Sequence, residues 1–325
     1  MVAPQGLIFA WRLGPRGAQA LDAAGVNDWG PSDGPIWVHL DRTHPGVRGW
    51  LEGYAELPSL VFEALLEEET RPRVTPYADG LLVNLRGVNL NPDADPEDMV
   101  SVRMWINANR VISLRGRRLL AGDDVSARLE AGEGPRTTGD VLTAVAEALG
   151  ERMQPVVADI EDELDAFEEA LIDEQSADPP ASQVSRVRRR AIALRRYLAP
   201  QRDVMLRLAG ISEPWLSEAD HQHLRENADL VTRYVEDLDA ARERGAVTHE
   251  EVTERLSRRM NRIMFLLSLV ATVFLPLSFV TGLLGINVGG IPGVNNAWAF
   301  LIVCGGLFGA LVIEVLLFRY WRWMQ

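Results

Sequence analysis

Between Ile263 and Ile286 the chain carries Ser268, Ala271, Leu275, Ser278, Gly282 and Gly285 at spacings of three and four, in an uncharged and mostly apolar stretch. At 3.6 residues per turn these positions form one helix stripe. Small and hydroxylated side chains on such a stripe serve either close helix packing or a water-filled path, and the spacing leaves both open. Gly285-Ile286-Asn287 ends the stretch. A second apolar stretch, Ala297 to Phe318, carries a single acid, Glu314. An ionisable group inside such a segment is a candidate proton carrier, or it pairs or snorkels near Arg319. The densest set of metal-ligating side chains is Asp220-His221-Gln222-His223. It is a weak zinc candidate, because residues two apart on a helix point to different sides.

Other chemistries are excluded by composition. All 33 basic residues are arginine, so Schiff-base or P-loop lysine chemistry has no lysine to use. No glycine-rich nucleotide fingerprint occurs; Gly14, Gly17 and Gly116 are isolated. A single cysteine, Cys304, rules out a disulfide framework and a thiolate zinc cluster, and it reads as packing. The net charge of −13 argues against a nucleic-acid partner. No nucleophile–base arrangement is legible, so neither an enzyme nor a bound cofactor is expected.

The two apolar stretches each exceed the ~20 residues that cross a bilayer as a helix. The loop between them, Asn287 to Asn296, is short, rich in glycine and uncharged. Two spans so joined form a hairpin in contact with membrane lipid. Arg255, Arg258, Arg259 and Arg262 precede the first span, and Arg319 and Arg322 follow the second. The positive-inside rule therefore predicts a multi-pass protein of the cytoplasmic membrane with both termini in the cytoplasm. The N-terminal stretch lacks the basic and long apolar regions of a signal peptide, so none is expected.

Residues 1–137 read as an α/β unit. Strand-type runs lie at Gly6–Trp11 and Ile36–Leu40, with hairpins at Arg73–Leu85 and Val100–Leu114 and helical patterns at Pro45–Leu57 and Pro58–Glu68. Residues 138–216 read as a helical hairpin. An acidic block around Asp159–Glu174 and a basic block around Arg186–Arg196 flank Pro179-Pro180. Folded at the prolines, the blocks lie side by side, either as an ion-paired hairpin or as a cation-gathering patch. A stalk helix, 217–262, starts near Ser217, with Asp220 as its box-like cap partner, and continues into the membrane segment 263–325. Unbroken to Leu284 it would be ~100 Å long, with Gly245 as its weak point.

Gly285-Ile286-Asn287, followed by Val-Gly-Gly-Ile-Pro-Gly293, is similar to the Gly-Met-Asn signature of the CorA family of divalent-cation transporters. The upstream Phe274-Leu-Pro-Leu-Ser-Phe-Val-Thr-Gly282 also resembles that family's first span. The Gly-Ile-Asn form resembles its zinc-transporting ZntB branch. The resemblance covers the whole layout: an α/β cytoplasmic domain, a long helical stalk and two C-terminal transmembrane helices. It implies a funnel-shaped homopentamer whose first span lines the pore. The Gly285-Ile286-Asn287 motif would then form the entrance. Asn261, Met264, Leu267, Leu275 and Ser278 would line the path, joined from the spacing above by Ala271 and Gly282. A ring of asparagine carbonyls suits the water shell of a divalent ion. The neutral loop lacks the acids of magnesium-type members, so another driving force is needed, and the ZntB resemblance implies zinc uptake coupled to H+. Magnesium, cobalt or nickel transport is the alternative, and a non-conducting signalling scaffold a more distant one. From Ile263 onward the chain carries one acid and two arginines and is +1, so the residues before it carry −14.

Overall fold

A computed structural model describes residues 4–53, 57–68, 71–77, 79–173, 177–285, 293 and 296–322. The chain divides into two units, Met1–Val252 and Thr253–Gln325.

The first unit is built on a seven-stranded mixed sheet. Its strands are β1 (Leu7–Arg12), β2 (Gln19–Ala20), β3 (Ile36–Asp41), β4 (Arg73–Tyr77), β5 (Gly80–Gly87), β6 (Val100–Ile106) and β7 (Arg110–Arg115). Their order across the sheet is β2-β1-β3-β7-β6-β5-β4. The expected hairpins β4–β5 and β6–β7 are both present and antiparallel. β3 runs parallel to β7, and this pairing joins the two antiparallel halves.

Alternation along the strands explains why both faces are covered. Trp37, Leu81, Val83, Met104, Ile106 and Val111 enter one core; their neighbours Val38, Leu82, Trp105 and Ile112 enter the other. The smaller core is closed by α1 (Ala23–Asp28), α2 (Pro45–Gly53) and α3 (Ser59–Leu66). The larger is closed by α4 (Leu120–Glu130), α5 (Thr138–Ile172), α6 (Ala181–Gly210) and the first half of α7 (Glu218–Leu284). The helices expected over Pro45–Leu57 and Pro58–Glu68 are shorter than their periodicity suggested. α4 was not legible, since its glycine and paired acids give a weak apolar stripe.

Two capping boxes start the long helices. The Thr137 hydroxyl accepts from the Asp140 amide at 3.1 Å while an Asp140 carboxylate oxygen accepts from the Thr137 amide at 3.0 Å. Ser217 and Asp220 form the same arrangement at α7, as the sequence suggested. Asp220 is buried because α5 starts beside it: a Cβ on Gly139 would meet its Oδ2 at 2.5 Å. Further along, Tyr234 donates to the Gly150 carbonyl at 3.2 Å, and Gly245 lies against Leu164. Successive contacts advance in the same direction along both helices, so α5 and α7 run parallel. Gly245, expected as a weak point, is buried in an unbroken helix where it admits the Leu164 side chain.

The sheet also holds a buried imidazole. His39 is 1% exposed, stacks on Phe9, and bonds through Nδ1 to the Ser113 hydroxyl at 2.7 Å; that hydroxyl also accepts from Trp37 Nε1. Burial, reinforced by the nearby Arg115 charge, pushes its pKa down to about 3. An unfolded histidine takes up a proton near pH 6.5, so the folded state loses stability as pH falls from about 6.5 towards 3. Within that window this single group is expected to remove at most about 1.4 kcal/mol per pH unit. Thermal melts of the protein and of His39→Asn at pH 7.5 and 5.5 check this: the variant should show a smaller fall, and an equal fall would exclude His39 as its source.

Candidate functional site

Charge is arranged by pairing along the helices of the first unit. Arg190 on α6 bonds Asp159, at 2.8 Å, and Glu163 on α5. Arg244 on α7 bonds Glu168, at 2.7 Å, and Asp165. Hydrogen bonds that Arg244 donates to Glu168 and then Asp165 raise its pKa further above its already high ordinary value. The acidic block thus meets the basic block through Arg190 and α7 through Arg244, each pair worth ~0–1 kcal/mol where exposed. Compensation is incomplete: burial and the neighbouring Asp237 charge hold the Glu161 carboxyl above its usual range.

The Asp220, His221 and His223 cluster disperses. Asp220 Oδ2 is engaged by the Ser217 amide at 2.8 Å and its hydroxyl at 2.7 Å. His223 turns its Nδ1 to Glu147 on α5 at 3.0 Å, and the His221 Nδ1 is buried without a partner. Among the described residues no three His, Cys, Asp or Glu side chains converge as a metal site.

The second unit holds the C-terminal part of α7 and all of α8 (Ala299–Arg322). Both carry windows long and apolar enough to cross a membrane, and none of either window is buried within the chain. A core helix of a water-soluble protein would be covered, so another apolar solvent is required. Pro276 lies inside α7 without ending it. One turn earlier the Thr272 hydroxyl donates back to the Ser268 carbonyl at 2.8 Å. Further along, Thr281 donates to the Leu277 carbonyl at 3.0 Å, so both hydroxyls are satisfied within the helix, as apolar surroundings demand.

Exposure divides α7 into two faces. Leu269, Val273 and Leu277 are half-buried, as are Val303, Leu307, Leu311 and Glu314 on α8. Asn261, Met264, Leu267, Ala271, Leu275, Ser278 and Gly282 are all exposed, as is every other residue from 261 to 285 outside the half-buried stripe. At 100° per residue these seven fall within an arc of about 120°, centred about 170° from the half-buried stripe. They extend over about 32 Å of helix. Leu275, at 75% exposure, is the most open apolar side chain in this part of α7. Gly285 closes the helix with a bond from its amide to the Thr281 carbonyl at 2.9 Å. Ile286 and Asn287 lie outside the described residues. Glu314 lies on the half-buried stripe of α8, five residues before Arg319.

A sheet domain, a 67-residue helix and two uncovered apolar helices closing on a Gly-x-Asn motif make a distinctive set. The family described as CorA-like Mg2+ transporter protein matches residues 32–320. The chain belongs to the CorA family. Within it, this chain is 43% identical to the divalent cation transporter CmaX of Pseudomonas aeruginosa over 324 residues, covering 98% of this chain and 97% of that protein. It is 38% identical to the zinc transport protein ZntB of Pectobacterium atrosepticum over 299 residues, covering 92% of this chain and 90% of ZntB. The structure of full-length CmaX superposes with a TM-score of 0.86 at 42% identity, covering 99% of both chains. The CorA magnesium transporter of Methanocaldococcus jannaschii shares the fold, with a TM-score of 0.77 at 19% identity and 96% of each chain covered. The CorA-type layout read from the sequence is therefore the fold of this protein.

The dispersal of the aspartate–histidine cluster makes an expectation. Zinc added to the detergent-solubilised protein and to a His221→Ala/His223→Ala variant should shift their melting temperatures equally. A zinc-dependent shift lost only in the variant would contradict the placement described above.

Proposed function

We propose that the protein is a homo-oligomeric divalent-cation transporter of the cytoplasmic membrane, that zinc is its transported ion, and that uptake is coupled to protons. One observation carries the reading: the seven-residue face of α7 is left open by its own chain, opposite the side where the helix is partly covered. Two helices enclose no lumen, so a path along that face requires several copies around an axis. The family resemblance makes the number five.

On that arrangement each residue has a physical role. Asn287 rings the outer mouth and accepts hydrogen bonds from the ion's water shell without stripping it. Ser278 and Gly282 give the next turns a polar, unobstructed surface. Rings of Leu275, Leu267 and Met264 form an apolar constriction that passes ions only when wetted. Asn261 ends the face at the arginine-rich turn. The reaction is movement of a hydrated ion, so no inner-sphere ligand cluster is needed. Glu314, the one carboxylate within the two spans, is the group suited to carry the coupled proton.

Zinc is favoured by the 38% identity to ZntB and by the uncharged loop, which gives no electrostatic concentration of cations and so calls for a proton gradient. A broader divalent-cation range is the second reading. It is supported by the higher identity to CmaX, whose name specifies no single metal, and by the family's description as Mg2+ transporters.

Flux into proteoliposomes separates these. Zinc should enter faster than magnesium, and faster still when the outside is more acidic than the lumen. Magnesium entry without zinc entry would overturn the zinc assignment. Asn287→Ala is expected to lower flux at least tenfold while the oligomer remains intact by size-exclusion chromatography. Unchanged flux would favour a non-conducting membrane scaffold. Glu314→Gln should keep zinc flux but lose its dependence on the pH gradient; a retained dependence would remove Glu314 from the proton path.

A further inference from the structure

The head of the protein contains a cavity of about 780 Å3 that the transport reading does not use. Its walls come from distant parts of the chain: the turn after β3, strands β5 and β6, the turn after β7, and α6. Six arginines line it, Arg42, Arg71, Arg86, Arg103, Arg117 and Arg196, against three carboxylates, Glu68, Glu97 and Asp98. The local balance is thus positive in a chain of net charge −13.

The floor is the informative part. Arg103, on β6, is 1% exposed. Its Nη2 donates to the Glu68 carbonyl at 3.1 Å, but Nε and Nη1 have no partner among the described residues. Arg42 repeats the pattern: Nη1 reaches the Leu66 carbonyl at 3.3 Å while Nε is buried without a partner. Gly116 permits this placement, since a Cβ there would stand 3.2 Å from Arg42 Nη2. On the α6 side the Arg86 and Arg196 guanidiniums lie 4.3 and 4.7 Å from the centre of the Tyr197 ring.

Elsewhere in this unit a half-buried arginine meets a carboxylate directly, as Arg115 meets Asp123 at 2.8 Å and Arg190 meets Asp159. Glu97 is itself within 3.8 Å of Arg190. Burial, followed by the charges of Arg42 and Arg86, lowers the Arg103 pKa to about 10. A buried guanidinium with open donors, placed among like charges, is costly to the fold. The cost is offset when an anion supplies the missing acceptors.

We propose that this cavity binds a small anion bearing two or more linked phosphate groups. Planar guanidinium forks match phosphate oxygens in pairs, and the positive excess exceeds what one carboxylate would neutralise. A volume in the range of small-molecule sites accommodates a pyrophosphate or a nucleotide rather than a single halide ion. Such a ligand would inform the head of the cell's phosphate-metabolite state, independently of which cation the membrane part carries.

The test is thermal melting of the purified full-length protein in EDTA, with pyrophosphate, ATP, orthophosphate and adenosine compared at constant ionic strength in chloride. Pyrophosphate and ATP should each raise the melting temperature by several degrees, orthophosphate less, and adenosine not at all. Arg103→Met should raise the ligand-free melting temperature, because it removes an uncompensated charge, yet abolish the pyrophosphate shift. The exposed Arg117→Ser should leave the ligand-free value unchanged and weaken pyrophosphate at least tenfold, which keeps the test informative if the buried variant fails to fold. No shift beyond the chloride control would overturn the proposal. That result is expected if carboxylates of a neighbouring copy occupy the arginines. A shift that survives Arg117→Ser and Arg103→Met would also overturn it.

Discussion

An α-helix that stays apolar for four to six turns needs an apolar solvent, and α7 and α8 do not find one within their own chain. Lipid satisfies that requirement for most of their surface. It does not explain the face of α7 that combines Asn261, Ala271, Ser278 and Gly282 with leucines, because small and polar side chains gain nothing from hydrocarbon. That face is the constraint from which the rest follows. It needs either close neighbours or water, and a ring of copies supplies both. A helix hairpin alone supplies neither, which is why the proposed function makes the oligomer part of the site.

The sheet domain faces a different demand. Arginine is its only strong base, so each ionic link uses a rigid, delocalised cation with several donors. On α5, α6 and α7 this permits one arginine to hold two carboxylates, as Arg190 and Arg244 do. Those bonds complement the glycine contacts that bring α5 and α7 close. In the cavity the same residue type is left with open donors. The anion-site proposal rests on this contrast between the carboxylate-held Arg190 and Arg244 and the buried open donors of Arg42 and Arg103.

Much of this was legible in the sequence because local rules governed it. The hairpins follow from alternation and turn residues, the start of α7 from its Ser217–Asp220 capping box, and the membrane helices from length and scarcity of charge. The spacing alone gave the stripe from Ser268 to Gly285, whereas Asn261, Met264 and Leu267 came from the family resemblance. Other features depended on contacts between distant residues. Gly245 reads as a helix weakness until Leu164 is placed against it. His39 looks like an ordinary strand residue, and only the pairing of β3 with β7 brings Ser113 to its Nδ1. The arginines of the cavity share no spacing at all: Arg42, Arg86, Arg103 and Arg196 meet only because the sheet and α6 fold together. The ion pairing of the acidic and basic blocks was foreseeable from charge order, but which carboxylate each arginine selects was not.

The central claim is that the open face of α7 lines a water-filled path between copies. Cysteine substitution in a Cys304→Ser background measures it directly, using a membrane-impermeant thiol reagent on the protein in vesicles. Cysteines at Ala271, Leu275 and Ser278 should react, with zinc slowing the reaction, whereas those at Leu269, Val273 and Leu277 should be protected. Protection of the first three, or reaction of the second three in their place, would contradict the account.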